Sequence, residues 1–231
     1  MCLVFMETVV CIHCGYVDSS AAQLDEEGFF QLATAEQLHW FMNKAIEEPT
    51  AKARLTADID FSGYNEMLGA AVPFAGTFDG QGYSVTLNLS GGEDGANYVA
   101  FISLLDGGTV ENLVLKGSLA SASLFAGGIV GHTMNNAVVR NVVSELAMTQ
   151  TGNGATAAFG GFVGHIQNTL IENCIFAGSI LSPGNSTSGV TGWAAGLTMR
   201  NCAVIGDVQV GDYTQCFADA RGGDMRFHVF R

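Results

Sequence analysis

The chain has 231 residues, of which 48% are apolar and only 13% charged, and its net charge of −13 includes just nine Lys and Arg. So few cations leave no basic stripe to meet phosphates, which argues against nucleic-acid binding and against electrostatic attachment to anionic lipid, while the apolar share argues against a disordered chain. Thirty glycines against three prolines indicate a turn-rich ordered fold, and the length suits one large core or a run of repeats without requiring two domains.

The opening MCLVFMETVVC is apolar but lacks the cationic start and small-residue cleavage site of a signal peptide. No stretch reaches the roughly 18–20 continuous apolar residues of a membrane span. The expectation is that Met1 lies inside a longer protein and that residues 1–28 are the remnant of an upstream Cys-containing element. Cys11-Ile12-His13-Cys14 is half of a zinc ribbon, but tetrahedral zinc needs four ligands, and Cys2 and His13 complete the set poorly. Cys11 and Cys14 are therefore weak metal candidates beside a local disulfide or a degenerate remnant, and no cofactor is expected. The six cysteines form no disulfide framework.

Thr34-Ala35-Glu36-Gln37 reads as a capping box, and Leu38, Phe41, Met42 and Ala45 follow at helical spacing. This predicts an amphipathic helix ending near Glu48. ARLTADIDFSG (53–63) and FAGTFDGQGYSVTLNLS (74–90) then supply strands around an Asp79-Gly80-Gln81-Gly82 turn, assigned to a first coil.

From there the sequence repeats. YVAFISLLDGGTVENLVLKGSL (98–119) aligns without gaps on FGGFVGHIQNTLIENCIFAGSI (159–180) and on TSGVTGWAAGLTMRNCAVIGDV (187–208), with a looser copy, AGGIVGHTMNNAVVRNVVSELAM (126–148), carrying one inserted residue. Short period-two runs rich in Val, Ile and Phe, broken by Gly and Asn, indicate strands and turns. Fixed repetition of that kind makes a solenoid the leading architecture. The fold class expected is all-β, a right-handed parallel β-helix with the N-terminal amphipathic helix covering its first coil. Equivalent residues in such a coil stack into ladders. Asn112, Asn141, Asn173 and Asn201 are the expected turn ladder, since an amide both donates and accepts and Asn tolerates left-handed dihedrals. Gly131, Gly164 and Gly192 are expected at sharp corners. Residues 29–210 form this unit, and 211–231 read as a truncated or decayed last coil.

Chemical readings of the repeats compete with plain structural ones. Cys174 and Cys202 share a repeat position, but residues stacked on parallel strands rarely match disulfide geometry, so two thiols acting as small apolar groups are favoured. His132 and His165 share a slot with Trp193, with no acidic ligand recurring in register, and a surface or corner ladder is expected over a metal site. Asp58, Asp60 and Asp79 lack calcium-loop spacing. Of the Lys and Arg residues only Lys116, Arg140 and Arg200 fall within the repeats. The carboxylate pair or basic residue of a β-helix lyase or glycosidase is therefore not assembled, and no catalytic activity is expected.

In this order, TAEQLHWF (34–41), ARLTADIDFSG, FAGTFDGQGYSVTLNL and the GGFVGH, IENC and GSI elements of the copies resemble GLUG-motif β-helix regions of large extracellular bacterial proteins. Similar regions accompany immunoglobulin-A-cleaving metallopeptidases, and the CIHCGYVDS opening resembles what precedes the module there. The resemblance implies a parallel β-helix in a secreted or cell-surface multidomain protein, acting as stalk, spacer or adhesive surface toward a host or cell-surface protein or glycan. The alternatives are a carbohydrate-active or carbohydrate-binding β-helix, and the spacer of a surface peptidase. No HExxH zinc motif occurs, so peptidase chemistry does not carry over to this chain.

Overall fold

The computed structural model describes residues 3–5, 8–10, 20–92, 98–152, 158–183, 186–210 and 218–220, with backbone alone for 3–5, 8–10, 210 and 218–220. Leu3–Phe5 and Thr8–Val10 form a small antiparallel hairpin. From Phe29 onward nearly every pairing is parallel, and strands pair with the equivalent strand one coil away. The chain is a parallel β-solenoid.

The register builds columns of like side chains. Phe30, Ala53, Phe78, Val110, Val139, Ile171 and Met199 lie on one line. A second line runs Ile59, Val85, Leu115, Ser144, Phe176, Val204, and a third Leu89, Leu119, Met148, Ile180, Val208. Most of these side chains are buried, and each large one contributes about 1.5–3 kcal/mol relative to exposure. Period-two alternation sends them inward while their neighbours face out. A separate four-stranded stack, Tyr98–Val99, Phe125–Gly127, Ala158–Gly160 and Ser186–Ser188, closes the remaining side of the coil.

Helix α1 spans Ala35–Glu47 and buries Leu38, Phe41, Met42 and Ala45, the predicted face. Thr34 Oγ1 accepts from Gln37 N at 3.3 Å, and Gln37 Oε1 accepts from Ala33 N at 2.8 Å, so the box closes one residue earlier than the ideal motif. The Phe41 ring reaches Phe30 and Phe74 at 6.1 Å and Phe78 at 6.4 Å, covering the aromatic end of the first core column.

The structure departs from the sequence reading at several points. Phe29–Leu32 is already a solenoid rung, parallel to Lys52–Leu55, so α1 is a crossover between two rungs. Gln23–Leu24 pairs antiparallel with that rung, and the sheet therefore starts ahead of residue 29. Arg54 fastens the hairpin through Asp25 at 3.2 Å and Glu27 at 2.5 Å, with its guanidinium 4.1 Å from the Phe29 ring centre. The first repeat copy also differs in its turn. Val99 stacks with Ala126 and Phe159, yet Ile102 stacks with Val130 and Val163, so that copy is one residue shorter between these columns. The inserted residue of the looser copy lies at Asn135 and Asn136, both left-handed, where the next coils use the single residues Asn168 and Gly196. Ala218–Ala220 adds a partial rung on Thr191–Arg200 with a shifted register, inside the segment expected to decay.

Candidate functional site

The four asparagines form one hydrogen-bonded chain along the solenoid. Their φ values are 52° at Asn112, 55° at Asn141, 54° at Asn173 and 49° at Asn201, the left-handed region that Asn tolerates better than most residues. Asn141 Nδ2 donates to Asn112 Oδ1 at 2.8 Å, Asn173 Nδ2 to Asn141 Oδ1 at 3.0 Å and Asn201 Nδ2 to Asn173 Oδ1 at 3.2 Å. Asn112 Nδ2 donates to Asp79 Oδ1 at 2.9 Å, so the ladder ends on a carboxylate. Asp79 also accepts from the Gln81 backbone N–H at 2.9 Å and from its side-chain amide.

Beside the ladder runs a charged column, Arg54, Asp79, Glu111, Arg140, Glu172 and Arg200 in register. Signs alternate except where Asp79 meets Glu111. Arg140 Nε donates to Glu111 Oε2 at 2.5 Å, an exposed pair worth at most about 1 kcal/mol. Gln81, Gly82, Asn112, Leu113, Val114, Asn141 and Val143 line an open depression along this face.

Gly131, Gly164 and Gly192 lie within strands and not at corners. Their requirement is close approach: a Cβ on Gly131 would sit 2.8 Å from Ser103 O and from Tyr98 Cβ, and one on Gly192 would sit 2.4 Å from the Ala158 carbonyl carbon. The strands that carry them fold tightly against the four-stranded stack.

His132, His165 and Trp193 are in register, as their shared slot predicted. His132 does not sit on the surface, being only 7% exposed, while His165 and Trp193 are half-buried. Tyr98 and Phe125, from the facing stack, complete a five-ring cluster. The His132 and His165 centroids are 4.3 Å apart at 10°, Tyr98 is 4.8 Å from His132, Phe125 5.0 Å from His165, and Trp193 meets His165 edge-on at 4.4 Å. His132 Nε2 and both ring nitrogens of His165 are buried without a hydrogen-bond partner. Burial, with repulsion from His165 added, pushes His132 down to about 4 from 6.5, and burial lowers His165 too. With the rings nearly parallel, their in-plane lone pairs run side by side instead of converging on one ion. Tyr98 and Phe125 gave no sequence signal, since they come from a different strand of the coil.

Cys174 and Cys202 are both free thiols, the first buried and the second half-buried. Burial pushes the Cys174 thiol up, while a hydrogen bond from that thiol brings Cys202 down. The three aspartates do not converge. Asp58 Oδ1 accepts from Ser84 N at 2.7 Å and Asp60 Oδ1 from Ser62 Oγ at 2.6 Å, and these serine bonds lower both carboxyls. Among the described residues no three His, Cys, Asp or Glu side chains gather to hold a metal, and no helix is long and apolar enough to cross a membrane. Cys11 and Cys14 lie outside the described residues.

No protein-family model matches the sequence, and no curated protein matches it. Among solved structures the chain is similar to a provisionally assigned immunoglobulin A1 protease from Bacteroides ovatus, with TM-score 0.48, 13% identity, and 86% of this chain and 84% of that one covered. Nothing about activity follows at that distance, and the fold stands on the strand register alone.

Proposed function

We propose that this chain is a non-catalytic repeat module of a secreted or cell-surface bacterial protein, serving as stalk, spacer or adhesive surface. The observation that carries this reading is the use made of its polar columns. The amides of Asn112, Asn141, Asn173 and Asn201 and the carboxylate of Asp79 are spent on one another across coils, and Arg140 is spent on Glu111. Side chains committed to holding coils in register give a stiff rod that lengthens by about 4.8 Å per coil. The GLUG resemblance of the quoted motifs supports the surface location and membership of a larger chain, where a peptidase or anchor domain would lie outside these residues.

Antibodies raised against the folded chain should label intact cells of the producing bacterium, and brief external protease should remove the label. Labelling that appears only after lysis would overturn the surface assignment. One observation favours a second reading, a carbohydrate-binding β-helix: the depression beside the ladder places Gln81, Asn112 and Asn141, whose amides each carry a second N–H beyond the one given to the ladder, next to Leu113 and Val114, a mixture suited to sugar hydroxyls and ring faces. A glycan array separates the two readings, since saturable binding lost in Gln81→Ala would establish the second.

A further inference from the structure

We infer that Cys174 and Cys202 form a redox-closable staple, a disulfide joining equivalent turns of two successive coils. The register brings them together. Glu172 pairs with Arg200 and Ile175 with Ala203, and two backbone bonds bracket the cysteines, Asn173 N to Arg200 O at 3.0 Å and Ala203 N to Cys174 O at 2.9 Å. Their Cα atoms are thus about one strand spacing apart, ~4.8 Å, inside the roughly 4.4–6.8 Å that a disulfide spans.

In a regular parallel ladder the stacked Cβ atoms also stay a full spacing apart, about 1 Å more than a disulfide wants. These two cysteines are not in a regular ladder. Each follows a left-handed Asn, Asn173 at 54° and Asn201 at 49°. Each lies in a gap between strands, after Glu172 and Arg200 and before Ile175 and Ala203. A turn can supply the missing approach where a strand cannot. Both side chains lean toward the preceding coil, with Cys174 Sγ 3.7 Å from Val139 O and Cys202 Sγ 3.8 Å from Ile171 O, so the Cys202 sulfur points at the coil that carries Cys174 and closure needs the Cys174 side chain to turn toward it.

The pair divides the chemistry. Cys202 is half-buried and reachable, and its thiolate is favoured by the Cys174 thiol that donates to it; Cys174 is enclosed. With a small-molecule disulfide such as glutathione disulfide as oxidant, the Cys202 thiolate attacks one reagent sulfur, breaking its S–S bond and releasing one glutathione thiolate. Cys174 then gives up its proton and attacks the Cys202 sulfur of the mixed disulfide, expelling the second glutathione. Two cysteine thiols are oxidised, one reagent disulfide is reduced to two thiols, and the two protons end on the released glutathione. The staple forms wherever such an oxidant is present, so its test is independent of the proposed surface location.

The full chain is incubated natively with a glutathione and glutathione disulfide mixture, quenched by alkylation and mapped by mass spectrometry without reduction. The expected result is a Cys174–Cys202 linked peptide, absent from Cys174→Ala and Cys202→Ala, with a thermal midpoint raised by several degrees that falls back on adding dithiothreitol. A glutathione adduct that persists on Cys202 while Cys174 stays alkylatable, two thiols that both stay free, or either one joined to another cysteine would overturn the proposal. A chain with Cys2, Cys11, Cys14 and Cys216 changed to Ser gives an independent reading. Its native thiol count should drop from two to none on oxidation, and a count that stays at two contradicts the staple.

Discussion

Two columns of side chains run along this solenoid and are held by opposite means. In the asparagine ladder the amides bond from coil to coil and end on Asp79. In the ring cluster around His132 and His165 three nitrogens have no partner, and flat surfaces at 4.3–5.0 Å supply the contact. A hydrogen-bond ladder demands the same side chain at the same place in every coil, because one mismatched rung breaks the bonds on both sides of it. Stacking demands only a ring, so His, Trp, Tyr and Phe all serve, and they come from two different stacks of strands. The first column depends on residue identity; the second tolerates substitution and depends on pH.

The largest expected effect is at the middle of the ladder. Asn141→Ala should cost about 3 kcal/mol, the sum of a left-handed Ala and two lost amide bonds of about 1 kcal/mol each. Asn141→Gly, which keeps the dihedral, should cost about 1–2 kcal/mol less. Urea unfolding of both measures the difference, and equal losses would mean that the left-handed backbone at residue 141 carries no cost.

Acid should act on the other column. The folded pKa of His132, about 4, lies below the ordinary 6.5, so between those values the unfolded chain binds a proton that the folded chain refuses. Stability is fully present above 6.5 and is lost as pH falls through about 4, by on the order of 2–3 kcal/mol. His132→Leu, which copies Leu104 one coil earlier in the same column, should flatten this part of the profile. A profile as steep as in the parent would place the acid sensitivity elsewhere.

Smaller changes sharpen the contrast. Asp79→Asn leaves an acceptor for Asn112 but removes its charge, and should cost about 0.5–1 kcal/mol. Ser144 is a fully buried hydroxyl without a partner in the second core column, so Ser144→Ala should be neutral or stabilise by up to about 1 kcal/mol. A clear loss there would show that the hydroxyl is satisfied in solution.

The same contrast explains what was legible. The asparagine period could be read because the ladder repeats one residue type, and α1 because Leu38, Phe41, Met42 and Ala45 keep helical spacing across a capped start. The strand Phe29–Leu32 was missed, since four residues ahead of a helix carry no period of their own. Gly131, Gly164 and Gly192 are legible as a column but not as strand residues, because sequence does not distinguish a glycine that needs positive φ from one that needs close approach to Tyr98 or Ala158. Tyr98 and Phe125 were invisible as partners of the histidines, because the fold brings them together from a strand whose column otherwise holds Ala158 and Ser186.

The most direct test of the stacked register is a pair of double-mutant cycles on unfolding free energy, Asn112 with Asn141 and Asn112 with Asn201, each to Ala. Coils stacked as described predict a coupling of about 1 kcal/mol for the adjacent pair and additivity within about 0.5 kcal/mol for the separated pair. Additivity in both, or equal coupling in both, would contradict a ladder that passes from each coil to the next.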